Sequence, residues 1–394
     1  MKHGAILGHR AVGILAGTLL SVAAPTGVGF GADAAYRFTI VDIPHHVVFQ
    51  GQERTDILQL TDINNWGHLV GNAFPQDGLI VRRNHTPTEI RCPGDQTETD
   101  STTISAINNV GQVVGSCTDG VSPNQRIVGF VRDRHGNVTL LNVPGADSTF
   151  AFGINDLGHV VGQYGGFNFG QGLDRFHGFL WKDGEYTTID ALFPDAMHTA
   201  LLGINITGQI IGTYLHHRPG SSDINDYDSE IAFLYADGNF LPLAFPGAKL
   251  PFLCCGATTF PMDINNLGQV VGSTYDNDGH PQWFLYEDGE YVAITGLPEN
   301  VNDPQDHSVV HGPDAVGIND FGQLAGSYVE RVPCDSCGIE NEPGFTFVRH
   351  SFVATPKTVG GAHARDILRR IVRALKHIEG VPPHLEAITG LPVR

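Results

Sequence analysis

The sequence predicts an all-β fold, a six-bladed β-propeller whose blades are four-stranded and antiparallel. Three observations predict it: a decapeptide that recurs six times, a second hairpin signature after most copies, and chain ends that each hold half of one such hairpin. The decapeptide reads DINNWGHLVG (62–71), AINNVGQVVG (106–115), GINDLGHVVG (153–162), GINITGQIIG (203–212), DINNLGQVVG (263–272) and GINDFGQLAG (317–326).

Each copy reads as strand, turn, strand. The turn opens on Asn64, Asn108, Asn155, Asn205, Asn265 or Asn319 and closes on Gly67, Gly111, Gly158, Gly208, Gly268 or Gly322. Asn suits the first position of a type I turn because its side chain accepts backbone N–H groups further on. Gly suits the fourth because the G1 bulge that closes such a hairpin needs positive φ. Six asparagines could also form a ligand-binding circle, but turn chemistry accounts for them without a ligand. The last Gly of each copy sits inside a strand and marks close approach of another backbone, expected here where neighbouring sheets converge.

The second hairpin is plainest in GFLWKDGEYTTID (178–190), AFLYADGNFLPL (232–243) and WFLYEDGEYVAIT (283–295). Its Asp-Gly pairs are the residues a two-residue β-turn requires. Two hairpins per repeat make one four-stranded blade. GFTFVRHS (344–351) supplies the third strand of a blade and stops, while YRFTIVDIP (36–44) supplies a fourth strand alone. Pairing the two closes a ring without a free edge, so a monomer is expected. The tight turns then share one face, and every long connection lies on the other.

Residues 1–34 resemble a secretory signal, with Lys2 and Arg10 before the apolar run Ala11–Ala24 and an Ala32-Asp33-Ala34 cleavage site. That run is too short to span a bilayer, so the mature chain is expected to be secreted and to hold no transmembrane segment. The domains expected are the signal (1–34), the propeller (35–356) and a basic tail (357–394). In the tail, Ile367, Ile371, Leu375 and Ile378 fall on one helical face among Arg and Lys residues.

The stretch VPGADSTFAFGINDLGHVVGQY (143–164) followed by HGFLWKDGEYTTID (177–190) resembles the bacterial extracellular HAF repeat. The naming tripeptide corresponds to His177-Gly178-Phe179 and to Ile231-Ala232-Phe233, neither of which gives it in full. The resemblance covers roughly 36–354. It implies export and a propeller-like array, and it implies no defined activity or catalytic residue.

Net charge is −19 and the tail is basic, so the body is more acidic still. Such a body argues against nucleic acid and anionic lipid as partners. Six cysteines in an exported chain predict disulfides of undetermined pairing.

Long loops on a rigid scaffold are the expected binding surface. His216, His217, His307 and His311 are candidate ligand contacts there, within a wider scatter that includes His45, His46, His198 and His280. Asp223, Asn225, Asp226, Asp228, Asp276 and Asp278 are candidate calcium ligands, although neither acidic stretch completes an EF-hand loop. Asp226, Asp306 and Asp314 are candidate catalytic carboxylates of the kind glycoside hydrolysis uses. The leading expectation is a non-catalytic scaffold binding carbohydrate or protein; the alternative is a polysaccharide hydrolase or lyase with acidic residues at the channel mouth. Converging axial carboxylates with raised pKa would favour the alternative.

Overall fold

The decapeptides set the local geometry. The computed structural model describes residues 34–357, except 50–51, 74–76, 83–85, 94–100, 120–125, 169–171, 174–175, 218–226, 247–258, 276–280, 296–315 and 335–343. In all six turns the first Asn carbonyl accepts the N–H of the Gly three residues on, at 2.9–3.2 Å. The same Asn Oδ1 accepts the N–H groups two and four residues on, as Asn155 does from Leu157 and His159. The six glycines have φ between +69° and +82°. Side chains other than Gly rarely enter that region.

Strand β1 (Ala34–Ile40) comes first, then a hairpin of β2 (Pro44–Phe49) and β3 (Gln52–Ile57). Four-strand antiparallel sets follow. The first is β4 (Gln59–Ile63), β5 (Leu69–Ala73), β6 (Asp77–Val81) and β7 (Thr88–Ile90). The second is β8 (Thr102–Ile107), β9 (Val113–Asp119), β10 (Arg126–Arg132) and β11 (Val138–Leu141). The third joins β12 (Ser148–Ile154) and β13 (Val160–Gly165) to β16 (His177–Lys182) and β17 (Glu185–Thr188). A small hairpin, β14 (Phe167–Asn168) with β15 (Gly172–Leu173), interrupts it.

The fourth set is β18 (Ala196–Ile204), β19 (Ile210–His217), β20 (Tyr227–Ala236) and β21 (Asn239–Leu243). The fifth is β22 (Thr259–Ile264), β23 (Val270–Tyr275), β24 (Pro281–Glu287) and β25 (Glu290–Thr295). The last is β26 (Val316–Ile318), β27 (Leu324–Cys334) and β28 (Gly344–Pro356), with β1 as its outermost strand. Strand β1 runs antiparallel to β28 from Tyr36↔Pro356 to Ile40↔Phe352.

The fold is all-β and propeller-like, with one departure from the expected six separate blades. Hydrogen bonding gives four large sheets, two of eight strands and two of four. Short parallel contacts fuse neighbouring sets: Ile127 pairs Ser148, and Ala34 and Ala35 pair Ile294 and Thr295. The β2–β3 and β14–β15 hairpins are additions that the repeat pattern did not signal. No helix occurs among the described residues. The expected tail helix lies outside them, as does the signal segment except Ala34, which opens β1.

Packing explains why five of the six repeats carry a phenylalanine opposite the strand glycine, where the first has Leu79 opposite Gly71. Phe130, Phe179, Phe233, Phe284 and Phe352 are fully buried. Each lies opposite the strand glycine of its own set, as Phe179 lies opposite Gly162 and Phe233 opposite Gly212. A Cβ on Gly162 would sit 2.8 Å from the Phe179 ring and 1.9 Å from the Phe150 carbonyl oxygen. The close backbone therefore belongs to the partner strand at a β-bulge, not to a converging sheet as expected. Sheets do converge one tier further in, where a Cβ on Gly153 would lie 2.8 Å from Gly203 Cα.

Hydroxyl side chains tie each of the first four sets to the next. The N–H groups of Cys92, Val143, Ala191 and Phe245 donate to Thr102, Thr149, Thr199 and Thr259 at 2.9–3.1 Å. A disulfide joins Cys92 to Cys117, across the first two sets. Cys254, Cys255 and Cys337 lie outside the described residues, and Cys334 ends β27.

Candidate functional site at the ring axis

Three tiers of side chains meet where the inner strands end. In the outermost tier the six turn asparagines bond one another. Asn64 Nδ2 donates to the Asn108 carbonyl, and the relation repeats from 108 to 155, 155 to 205, 205 to 265, 265 to 319, and 319 back to 64. All six bonds measure 2.9–3.2 Å, and the cycle closes. The asparagines are buried, and their amide groups are taken up by the turns and by one another.

The second turn position forms the middle tier: Asn65, Asn109, Asp156, Ile206, Asn266 and Asp320. Each polar member accepts the N–H of its counterpart in the preceding turn. Asn65 N donates to Asn109 Oδ1, Asn109 N to Asp156 Oδ1, and Asp320 N to Asn65 Oδ1. Ile206 and Asn266 donate likewise to Asn266 and Asp320. Ile206 has no acceptor, so the link from Asp156 is the one that is missing. Amide groups bracket the two carboxylates. Asp156 Oδ2 accepts from Asn109 and Asn266, and Asp320 Oδ2 from Asn65 and Asn266, at 2.7–3.1 Å.

The innermost tier is small except at two places, Asp62 and Asp263. Asp62 accepts the N–H groups of Ile63 and Ile107, and Asp263 those of Ile264 and Ile318, at 2.6–2.7 Å. The two aspartates lie close enough for each to act on the ionisation of the other.

Burial sets the ionisation of all four groups. It lifts Asp62 well above the usual carboxylate range, and the neighbouring charge of Asp263 adds to the lift. Burial raises Asp263 to about 6 against the opposing N–H groups of Ile318 and Ile264. It raises Asp320 to about 6 with help from the charge of Asp156. Asp156 is raised by burial, with Asn109 and Asn266 opposing.

The chamber these tiers enclose has a volume of about 70 Å³. It has room for a few waters, and it falls below the roughly 300–1,000 Å³ of organic-ligand pockets.

None of the sequence-derived catalytic, ligand or metal candidates among the described residues lines this chamber. Asp223, Asn225, Asp226, Asp276, Asp278, Asp306, Asp314, His280, His307 and His311 lie outside the described residues. Asp228 and His217 sit on β20 and β19, and His216 is half-buried on β19, paired with Ser229. His198 Nδ1 accepts the Phe176 N–H. His45 and His46 lie on β2. Among the described residues no three His, Cys, Asp or Glu are arranged to hold a metal ion.

The repeat reading also missed two Tyr–His–Asp clusters at the long-loop edge. His177 Nδ1 lies 2.6 Å from Asp190 and stacks on Tyr164; His350 Nδ1 lies 2.9 Å from Asp42, with its ring 5.1 Å from that of Tyr328. In each the other aspartate oxygen accepts the N–H of the residue after the histidine. These clusters fasten the outermost strand to its neighbour.

No family model matches the chain, and none of the curated proteins does. Among solved structures it is similar to a gluconolactonase from Xanthomonas campestris, at 13% identity over 82% of this chain and 90% of that one, with a TM-score of 0.43. It is also similar to the Aleuria aurantia lectin solved with α-methyl-L-fucoside, at 9% identity over 80% and 95% of the two chains, with a TM-score of 0.36. Likeness at this level assigns no activity.

Proposed function

We propose that this chain is an exported six-bladed β-propeller of the HAF-repeat type, acting as a non-catalytic binding scaffold through its long-loop face. The blade count is supported by the six antiparallel four-strand sets and by the closed cycle of six asparagines. Export is supported by the signal pattern and by the Cys92–Cys117 disulfide. One observation carries the binding reading: the axial carboxylates already accept the ring's own N–H groups, around a chamber too small for a sugar ring. The axis is thus a structural hub, and recognition falls to the loops. The ligand is carbohydrate or protein, and the acidic stretches 223–230 and 276–279 are the places for calcium.

A second reading, a polysaccharide hydrolase or lyase, is favoured by the convergence of Asp62, Asp263, Asp156 and Asp320 with raised pKa. The test incubates the secreted protein with a polysaccharide panel, with calcium and with chelator, and scores retention and new reducing ends together. Retention without new ends supports the scaffold. New ends that vanish in Asp320→Asn, Asp306→Asn or Asp314→Asn make the protein an enzyme and end the scaffold reading.

A further inference from the structure

The third turn position points away from the axis on the tight-turn face. It carries Trp66, Val110, Leu157, Leu267 and Phe321, with Thr207 as the one polar member. Trp66 is 53% exposed and its Nε1 donates to the Asn109 carbonyl, so its ring lies across the neighbouring turn. The other four apolar members are partly exposed. Apolar side chains thus encircle the closed Asn ring on a face otherwise made of polar turns. Apolar residues gathered on one face, with Trp66 the most exposed, suit an interaction site.

The chain itself leads to this face. Strand β28 ends beside the 319–322 turn: a Cβ on Gly322 would lie 3.4 Å from Pro356 Cγ, and Gln323 Nε2 reaches Thr355 Oγ1 at 3.4 Å. Residues 358–394 therefore begin next to Phe321. Their sequence places Ile367, Ile371, Leu375 and Ile378 at helical spacing among Arg365, Arg369, Arg370, Arg373 and Lys376. The outer hairpin turns on the same face expose Asp183, Glu185, Asp237, Asp288 and Glu290, against Lys182 and Arg134.

We propose that residues 362–379 dock on the tight-turn face of their own ring, with the four apolar residues against the wreath around Trp66 and Phe321. The basic residues then meet the acidic rim, which an amphipathic segment in a hydrophobic groove with complementary charge requires. This face is opposite the loops that carry the proposed ligand contacts, so the two readings stand or fall separately.

The experiment uses the full secreted chain and a variant carrying Ile371→Asp and Leu375→Asp. Hydroxyl-radical labelling of Trp66 and Phe321 is expected to rise several-fold in the variant. In the reciprocal arm, Trp66→Ser is expected to speed tryptic cleavage after Arg369 and Arg370 several-fold, with the thermal midpoint of the ring unchanged. Equal labelling of Trp66 and Phe321 in the two chains overturns the proposal. Protection that depends on protein concentration assigns the face to a second copy and also overturns it. Co-sedimentation of the wild-type chain with phosphatidylserine vesicles, lost in the double variant, assigns the tail to membranes with the same consequence.

Discussion

At Asn155 one side chain does two jobs, and only one needs an amide. As acceptor, Oδ1 closes its own turn; as donor, Nδ2 reaches the Asn205 carbonyl in the next set. Asp performs the first job equally well but has no donor at neutral pH. Asn155→Asp is therefore expected to cost about 1–3 kcal/mol, because a buried carbonyl loses its partner and meets a carboxylate. Urea midpoints check this, with Asp133→Asn as control: that exposed turn accepts from His135 and from the backbone and side chain of Asn137 but bonds no neighbouring set among the described residues, so its midpoint should move far less. An Asn155→Asp protein as stable as wild type would remove the Asn cycle from the account of closure.

The buried aspartates extend the argument to pH. Asp263 and Asp320 have folded pKa values raised to about 6, above their ordinary value, so the folded ring binds protons more tightly than the unfolded chain. Between the two values the native state holds more protons, and stability falls as pH rises. The contribution is complete below the ordinary carboxylate range and is lost as pH rises through about 6. Asp320→Asn removes one such group and installs the residue already present at Asn65, Asn109 and Asn266. Its thermal midpoint should fall less between pH 4 and 6.5 than that of wild type, and parallel pH profiles would contradict the assignment.

At the scale of elements, what was legible in the sequence was what is local. Turn type, strand phase and the pairing of β1 with β28 follow from residues within one repeat or its two halves. The ties between repeats were not legible from one copy, because they depend on a curvature that only the closed ring supplies. Two signals were nonetheless present. All six turns use Asn where Asp or Ser would also make the turn, which signals a needed donor. The position before the Phe motif also varies in step with the one two residues past its cross-strand partner: His177 with Asp190, His350 with Asp42, but Ile231 with Ala244. The candidate loop residues share no repeat register, so no pattern in the chain could place them.

The strand glycines make the element scale testable. Gly162→Ala puts a methyl group 1.9 Å from the Phe150 carbonyl oxygen, and β13 is held on its other edge by the β16 ladder. Relief would require breaking the β12–β13 register, so a loss above about 4 kcal/mol is expected, enough to cut soluble yield sharply. Gly145→Ala, at φ +85° with no atom within 4 Å of the new methyl, should cost only about 1 kcal/mol. Similar losses at both sites, read from denaturant midpoints, would mean that backbone conformation and not crowding sets the cost.

For the whole molecule the decisive element is β1, the one fourth strand that arrives from the far end of the chain. Its five pairs with β28 cover an edge that would otherwise expose unpaired N–H and C=O groups. It also touches β25 through Ala34 and Ala35, so it binds the last set to the fifth. Removing residues 34–43 should therefore yield a protein that aggregates and loses its single cooperative transition. A circular permutant separates the need for the strand from the need for its position in the chain. Tyr36 lies opposite Pro356, so an Asp-Gly turn between them would rebuild the kind of hairpin that Asp183-Gly184 makes between β16 and β17. New ends cut between Asp237 and Gly238 would move the closing seam to β20–β21, where five pairs also hold the strands. If closure is a property of the ring and not of where the chain starts, this permutant should match the thermal midpoint of the unpermuted residues 36–356, which lack Ala34 and Ala35 in the same way. A large loss would show that the β1–β28 seam is specially built and that the sets are not interchangeable around the axis.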